Sequence, residues 1–82
     1  MSTVGAFRKL LRQEGLIRGD GPVSGGIEPG TGNIYISDRE TVFTLEERDG
    51  KLCVLRTRGE YGEVIFISQE KLETAGLAEK GE

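Results

Sequence analysis

The spacing of apolar residues along this chain changes twice. In the first segment Val4, Phe7, Leu10 and Leu11 recur at helical intervals, while Arg8, Lys9, Arg12 and Gln13 fall elsewhere around the same turns. That pattern predicts an amphipathic helix near residues 3–14. Ser2 or Thr3 can cap its start, and Gly15 followed by Leu16 supplies the left-handed residue and apolar contact that commonly end a helix. Between Arg18 and Asn33 the periodicity is lost among six glycines and both prolines, which predicts a long loop over 18–33. Within it, Val23 to Glu28 is the one segment able to form a short, irregular edge strand.

From Ile34 onward the period is two. Asp49-Gly50 lies between two β-rich runs, the strongest local hairpin signal, and pairs Val42–Arg48 with Lys51–Arg58. Arg48 then faces Lys51, Leu45 faces Val54, Thr44 faces Leu55 and Phe43 faces Arg56. Four-residue connections at Asp38–Thr41 and Gly59–Gly62 extend the sheet both ways. On one side Ile36 meets Phe43 and Ile34 meets Leu45; on the other Val54 meets Ile67, Leu55 meets Phe66 and Arg56 meets Ile65. Alternation collects Ile34, Ile36, Phe43, Leu45, Leu52, Val54, Ile65 and Ile67 on one face, broken only by Arg56, and that face is the expected core. Ser68 can cap a short helix over 69–76 with Leu72 and Ala75 inward, and the tail at 79–82 is polar.

The expected fold is therefore α+β: an N-terminal helix packed on a four-stranded antiparallel meander over 34–67, with a short C-terminal helix. A small SH3-like β-barrel is the alternative, with the glycine-rich segment as a fifth strand. At 82 residues the chain is expected to form a single small domain over 1–82 around one core, and 35% hydrophobic with 30% charged residues describes a globular chain. No apolar run approaches the roughly 20 residues of a membrane helix, and no signal-peptide pattern opens the sequence, so a cytoplasmic protein without a membrane span is expected.

Composition removes most chemistry. The chain has no histidine, which is the usual general base near neutral pH and the commonest metal ligand. The single cysteine, Cys53, lies between Leu52 and Val54 and reads as a small buried hydrophobe in a reducing compartment. Glu46 and Glu47 point to opposite sides of a strand, and Glu60 and Glu63 flank a turn, so neither pair encloses a carboxyl group as catalysis requires. The glycine-rich stretch matches neither G-x-G-x-x-G nor a Gly-Lys-Ser/Thr ending. Arg18-Gly19-Asp20 is an integrin-type tripeptide with no sign of secretion to support it. No catalytic residue, metal or cofactor is expected, and the protein is not expected to be an enzyme.

Function is instead sought on a surface. The second sheet face carries Tyr35, Val42, Thr44, Cys53, Leu55, Val64 and Phe66, more apolar than a solvated antiparallel face should be. Either the C-terminal helix or the glycine-rich loop lies across it, or it meets a partner. Arg56 is out of pattern on the core face. Its stem can run over Phe43 while the guanidinium reaches Glu40 or Glu63, or it sits in a groove between helix and sheet, where its fork can hold a carboxylate or phosphate.

The leading expectation is a non-catalytic protein-binding module. Tyr35, Val42, Leu55, Val64, Phe66 and Arg56 are its contact residues, and another protein, or a second copy in a homodimer, is its partner. In layout, a helix followed by an antiparallel meander is loosely similar to small bacterial immunity and inhibitor proteins, which implies docking on a toxin or enzyme. A homo-oligomeric assembly subunit is a further alternative. Residues 1–18 carry +3 and the remainder −6, so a nucleic-acid accessory role comes last, disfavoured by a pI near 5.0.

Overall fold

The computed structural model describes residues 3–18 and 23–77. Helix α1 (Thr3–Gln13) buries Ala6, Phe7, Leu10 and Leu11 along one stripe. It ends as the sequence suggests: Gly15 adopts φ 74°, its N–H donates to the Arg12 carbonyl, and the Leu16 N–H donates to the Leu11 carbonyl. This closing turn carries Ile17 into the core.

Five strands follow, β1 (Ser24–Ile27), β2 (Ile34–Asp38), β3 (Thr41–Arg48), β4 (Lys51–Arg58) and β5 (Tyr61–Ile65), before helix α2 (Gln69–Thr74). They form one antiparallel sheet in the order β1-β2-β3-β4-β5. The outer strands β1 and β5 do not pair, so the sheet stays open and the barrel alternative does not hold. The protein is an α+β fold.

Two parts of the expected meander change. The glycine-rich stretch is not all loop: within Val23–Glu28, the segment able to form an edge strand, Ser24–Ile27 pairs with β2 and gives a fifth strand. The connection after it, Glu28 to Asn33, is tied internally: Glu28 N–H donates to the Asn33 carbonyl at 2.7 Å, and Thr31 Oγ1 donates to the Glu28 carboxylate at 2.8 Å. The start of the stretch at 19–22, including Gly19 and Asp20 of the tripeptide, lies outside the described residues, as does the tail at 79–82.

The second change is in the last hairpin. The β2–β3 and β3–β4 registers are those expected, with Ile36 opposite Phe43 and Leu45 opposite Val54, although Asp38 pairs with Thr41 so that the β2–β3 connection has two residues instead of four. Asp49 and Gly50 hold φ 53° and 78°, the pair of positive values a type I′ turn needs. Between β4 and β5, however, the connection has two residues, not four. Gly59 at φ 60° makes the tight turn with Glu60, so Arg58 faces Tyr61, Arg56 faces Glu63, Leu55 faces Val64 and Val54 faces Ile65. The slip is two residues, which preserves the face of every side chain. It does move Phe66 beyond the end of β5, away from its expected place opposite Leu55.

Both helices lie on the same side of the sheet. Phe7, Leu10 and Leu11 of α1 and Leu72 of α2 join Ile36, Phe43, Leu45 and Val54 in one buried cluster, with Ile17 and Ile67. Ser68 caps α2, its Oγ accepting from the Lys71 N–H at 3.1 Å. Gln69 Nε2 donates to the Leu52 carbonyl at 2.9 Å and anchors α2 to β4, while Lys71 reaches Glu14 at 3.1 Å and links the two helices.

Gly25 shows how tightly the first layer meets the sheet. A Cβ at this position would lie 2.7 Å from Ile36 Cδ1, 2.9 Å from Val4 Cγ1 and 2.9 Å from the Tyr35 carbonyl oxygen. The strand's outer backbone edge is open to solvent, but its core-facing side is occupied.

Candidate functional site

With both helices on one side, no described element covers the other face. The C-terminal helix does not lie across it, and among the described residues neither does the glycine-rich segment, which joins the sheet as β1. Register places Gly26, Tyr35, Thr44 and Leu55 in one row across β1 to β4, with Val64 completing it on β5. Val42 and Cys53 stand in the neighbouring rows.

The residues of this face shield one another. Thr44, at the centre of the five strands, is only 6% exposed although no helix lies above it. Tyr35 and Leu55 flank it, and both are half-buried, as are Val42, Val64 and Cys53. The Tyr35 ring extends over Gly26, where a Cβ would come within 3.4 Å of the phenolic oxygen. Glu46 and Arg48 pair at 3.2 Å at the border of the patch, where Lys51 lies opposite Arg48.

Phe66 lies beyond the strand end on the alternation that carries Val64 to this side and Ile67 to the core. It is 94% exposed, the most exposed large hydrophobic side chain among the described residues.

No family model, curated protein or solved structure matches this chain. The reading of the site therefore stands on its own residues.

Of the six candidate contact residues, Tyr35, Val42, Leu55 and Val64 gather on the open face, and Phe66 stands at its margin. Arg56 is on the opposite face, beyond the helices, and cannot share one contact surface with the other five. Its Nε and Nη2 both donate to Glu63 Oε2, one of the two carboxylates named as possible partners. The pair is partly solvated, with the side chains 37% and 59% exposed, so it fixes the guanidinium's position more than it stabilises the fold.

Around Arg56 the structure assembles a cleft, as the groove reading of this residue allowed, and brings to it Arg18, Arg39, Arg58 and Tyr61, which that reading did not include. A signal for it was present. Gly59-Glu60 is a Gly-X pair of the kind that makes a two-residue hairpin turn, and reading it so puts Arg58 across from Tyr61.

No group of three or more cysteine, aspartate and glutamate side chains that could hold a metal ion occurs among the described residues. No helix there is long and apolar enough to cross a membrane.

Proposed function

We propose that the protein is a non-catalytic protein-binding module that docks a partner protein on the open face of its sheet. The observation that carries this reading is the one-sided placement of the helices, which leaves Tyr35, Val42, Leu55 and Val64 with no described covering element. Phe66 supplies an aromatic anchor at the margin, of the type that dominates binding energy when it enters a partner's pocket. Burial of this apolar surface is the main driving force of the proposed contact, with Glu46, Arg48 and Lys51 at its rim. Cys53, a free thiol half-buried on the same face, suits a reducing compartment such as the cytoplasm.

The test uses Leu55→Asp and Phe66→Asp beside the unaltered protein. Each is immobilised to capture proteins from the host lysate, and sedimentation equilibrium is run in parallel on the free chains. The reading requires a stoichiometric partner retained by the unaltered protein and lost from both variants, with the circular dichroism of the variants unchanged. A concentration-dependent dimer abolished by the same substitutions would make a second copy the occupant. If Leu55→Asp unfolds the chain, or if capture is indifferent to both substitutions, this face is not a docking surface.

A further inference from the structure

The uncovered end of the helix-bearing face has a different character. Beyond the row of Ile36 and Phe43 the same face continues through Asp38, Thr41, Arg58 and Tyr61. Neither helix reaches this end, and the segment after α1 flanks it with Leu16 and Arg18. The result is a broad, open cleft of about 1230 Å³.

Its charge runs against that of the chain. Arg18, Arg39, Arg56 and Arg58 line it together with Asp38 and Glu63, four positive groups against two negative, or +2, in a protein of net −3. Three separate segments bring these arginines together, so their convergence belongs to the tertiary structure. All four are arginine and none is lysine, the choice suited to planar, two-point recognition of oxyanions. Glu63 holds Arg56 in place. Arg18, Arg39 and Arg58 line the cleft and make no ion pair among the described residues.

Two further observations narrow the ligand. Arg39 holds φ 61° at the first position of the two-residue β2–β3 connection, where a residue without a side chain is favoured. An arginine kept in such a conformation points to a use for its side chain. Tyr61 is 83% exposed beside Arg58, a free aromatic ring at the edge of a cationic cleft.

We infer that this cleft binds a nucleotide-class phosphate monoester, with Arg18, Arg39 and Arg58 taking the phosphate and Tyr61 stacking on the base. A phosphate monoester carries about −1.5 to −2 charge, close to the cleft's surplus. Aromatic rings accept any base on their face. This site is independent of the open sheet face, from which it is separated by the thickness of the sheet.

The experiment follows the amide resonances of the labelled full-length chain at constant ionic strength during titration with adenosine monophosphate, ribose 5-phosphate or adenosine. Adenosine monophosphate is expected to shift Arg18, Arg39, Arg58 and Tyr61 saturably, ribose 5-phosphate to shift the arginines more weakly, and adenosine to leave the arginines in place. Arg58→Gln and, separately, Arg18→Gln should each raise the dissociation constant about tenfold, the usual loss for one charge-assisted hydrogen-bonding group. Arg8→Gln, on the exposed side of α1, should leave it unchanged. Tyr61→Ala should weaken adenosine monophosphate and spare ribose 5-phosphate.

The inference is overturned if neither phosphate ligand produces saturable shifts at the cleft. It is equally overturned if adenosine shifts the arginine amides as strongly as adenosine monophosphate does, or if Arg8→Gln weakens binding as much as Arg58→Gln. If Tyr61→Ala leaves both phosphate ligands equally bound, the nucleotide assignment falls. Well-dispersed spectra of the two arginine variants establish that any loss is not unfolding.

Discussion

Replacing Gly25 and Gly26 one at a time by alanine tests the layered arrangement directly. The two residues are adjacent on β1, and neither holds a positive φ, so backbone strain does not separate them. What separates them is the face. At Gly25 the new methyl carbon would meet Ile36 Cδ1 at 2.7 Å, Val4 Cγ1 at 2.9 Å and a backbone oxygen at 2.9 Å. The oxygen belongs to the paired strand and cannot move without breaking the ladder, so α1 and β1 must separate. Overpacking of this kind costs about 1–3 kcal/mol. In a domain of this size each kcal/mol lowers the midpoint by roughly 4–8 °C. At Gly26 the nearest atom is the Tyr35 phenolic oxygen at 3.4 Å, at the far end of a side chain that can swing toward solvent. There alanine should be neutral, or stabilise by up to about 0.4–1 kcal/mol through the lower entropy of the unfolded chain. Urea unfolding followed by far-ultraviolet circular dichroism, with matched m-values, measures both. If Gly25→Ala proves as stable as Gly26→Ala, the start of α1 is not seated on β1, and the division of the sheet into a covered and an open face is wrong.

Other substitutions probe single contacts. Leu72 is the one fully buried residue of α2, and Leu72→Ala should cost about 2–5 kcal/mol in urea unfolding and remove hydrogen-exchange protection from residues 69–77 first. Ser68→Ala deletes the α2 cap and should cost about 1 kcal/mol in the same assay; no change would mean the cap is replaced by water without loss. Arg39→Gly relieves a left-handed residue and should stabilise the fold by about 0.5–1 kcal/mol, after allowing for glycine's greater freedom in the unfolded chain. The same variant should bind adenosine monophosphate more weakly in the titration described above, so that stability and affinity move in opposite directions.

Much of this fold was legible because its turns are short and its strands alternate cleanly. Asp49-Gly50 fixes the register of β3 against β4, and the pattern of isoleucine, phenylalanine, leucine and valine then collects the core residues on one face, although the second face was apolar enough to be covered as well. The error in the last hairpin was harmless to the faces because it was even-numbered. It was costly for the site, because it set Arg56 against Ile65 instead of Glu63 and hid the row of Arg58 and Tyr61. The strand through Gly25 and Gly26 was legible only as a segment able to form an irregular edge strand, and the side on which α2 lands cannot be read locally. Glycine lowers strand propensity, and only the approach of Val4 and Ile36 explains why a side chain is excluded at Gly25. The stripe of α2 is nearly one residue wide, so its direction is decided by Leu72 finding space beside Val54 and by Gln69 bonding to the Leu52 carbonyl.

The cleft at the end of the helix-bearing face follows from a mismatch of lengths. Strands β3 and β4 each have eight residues, about 27 Å at the rise of an antiparallel strand. Helix α1 has eleven, about 16 Å at the helical rise. A single helix of that length cannot cover the face of such strands. Helix α2 makes up the difference at one end only, where Gln69 anchors it beside Leu52. The other end, at the start of β3 and the finish of β4, is left without a roof, and there the apolar alternation gives way to Asp38, Thr41, Arg58 and Tyr61. An uncovered end that had kept its apolar residues would be an aggregation hazard. This one instead gathers arginine, including one at a backbone position that favours glycine. Solubility alone would be served as well by lysine or glutamate without the left-handed strain at Arg39. The choice of guanidinium groups facing a common cleft is therefore better explained by a bound oxyanion than by solvation.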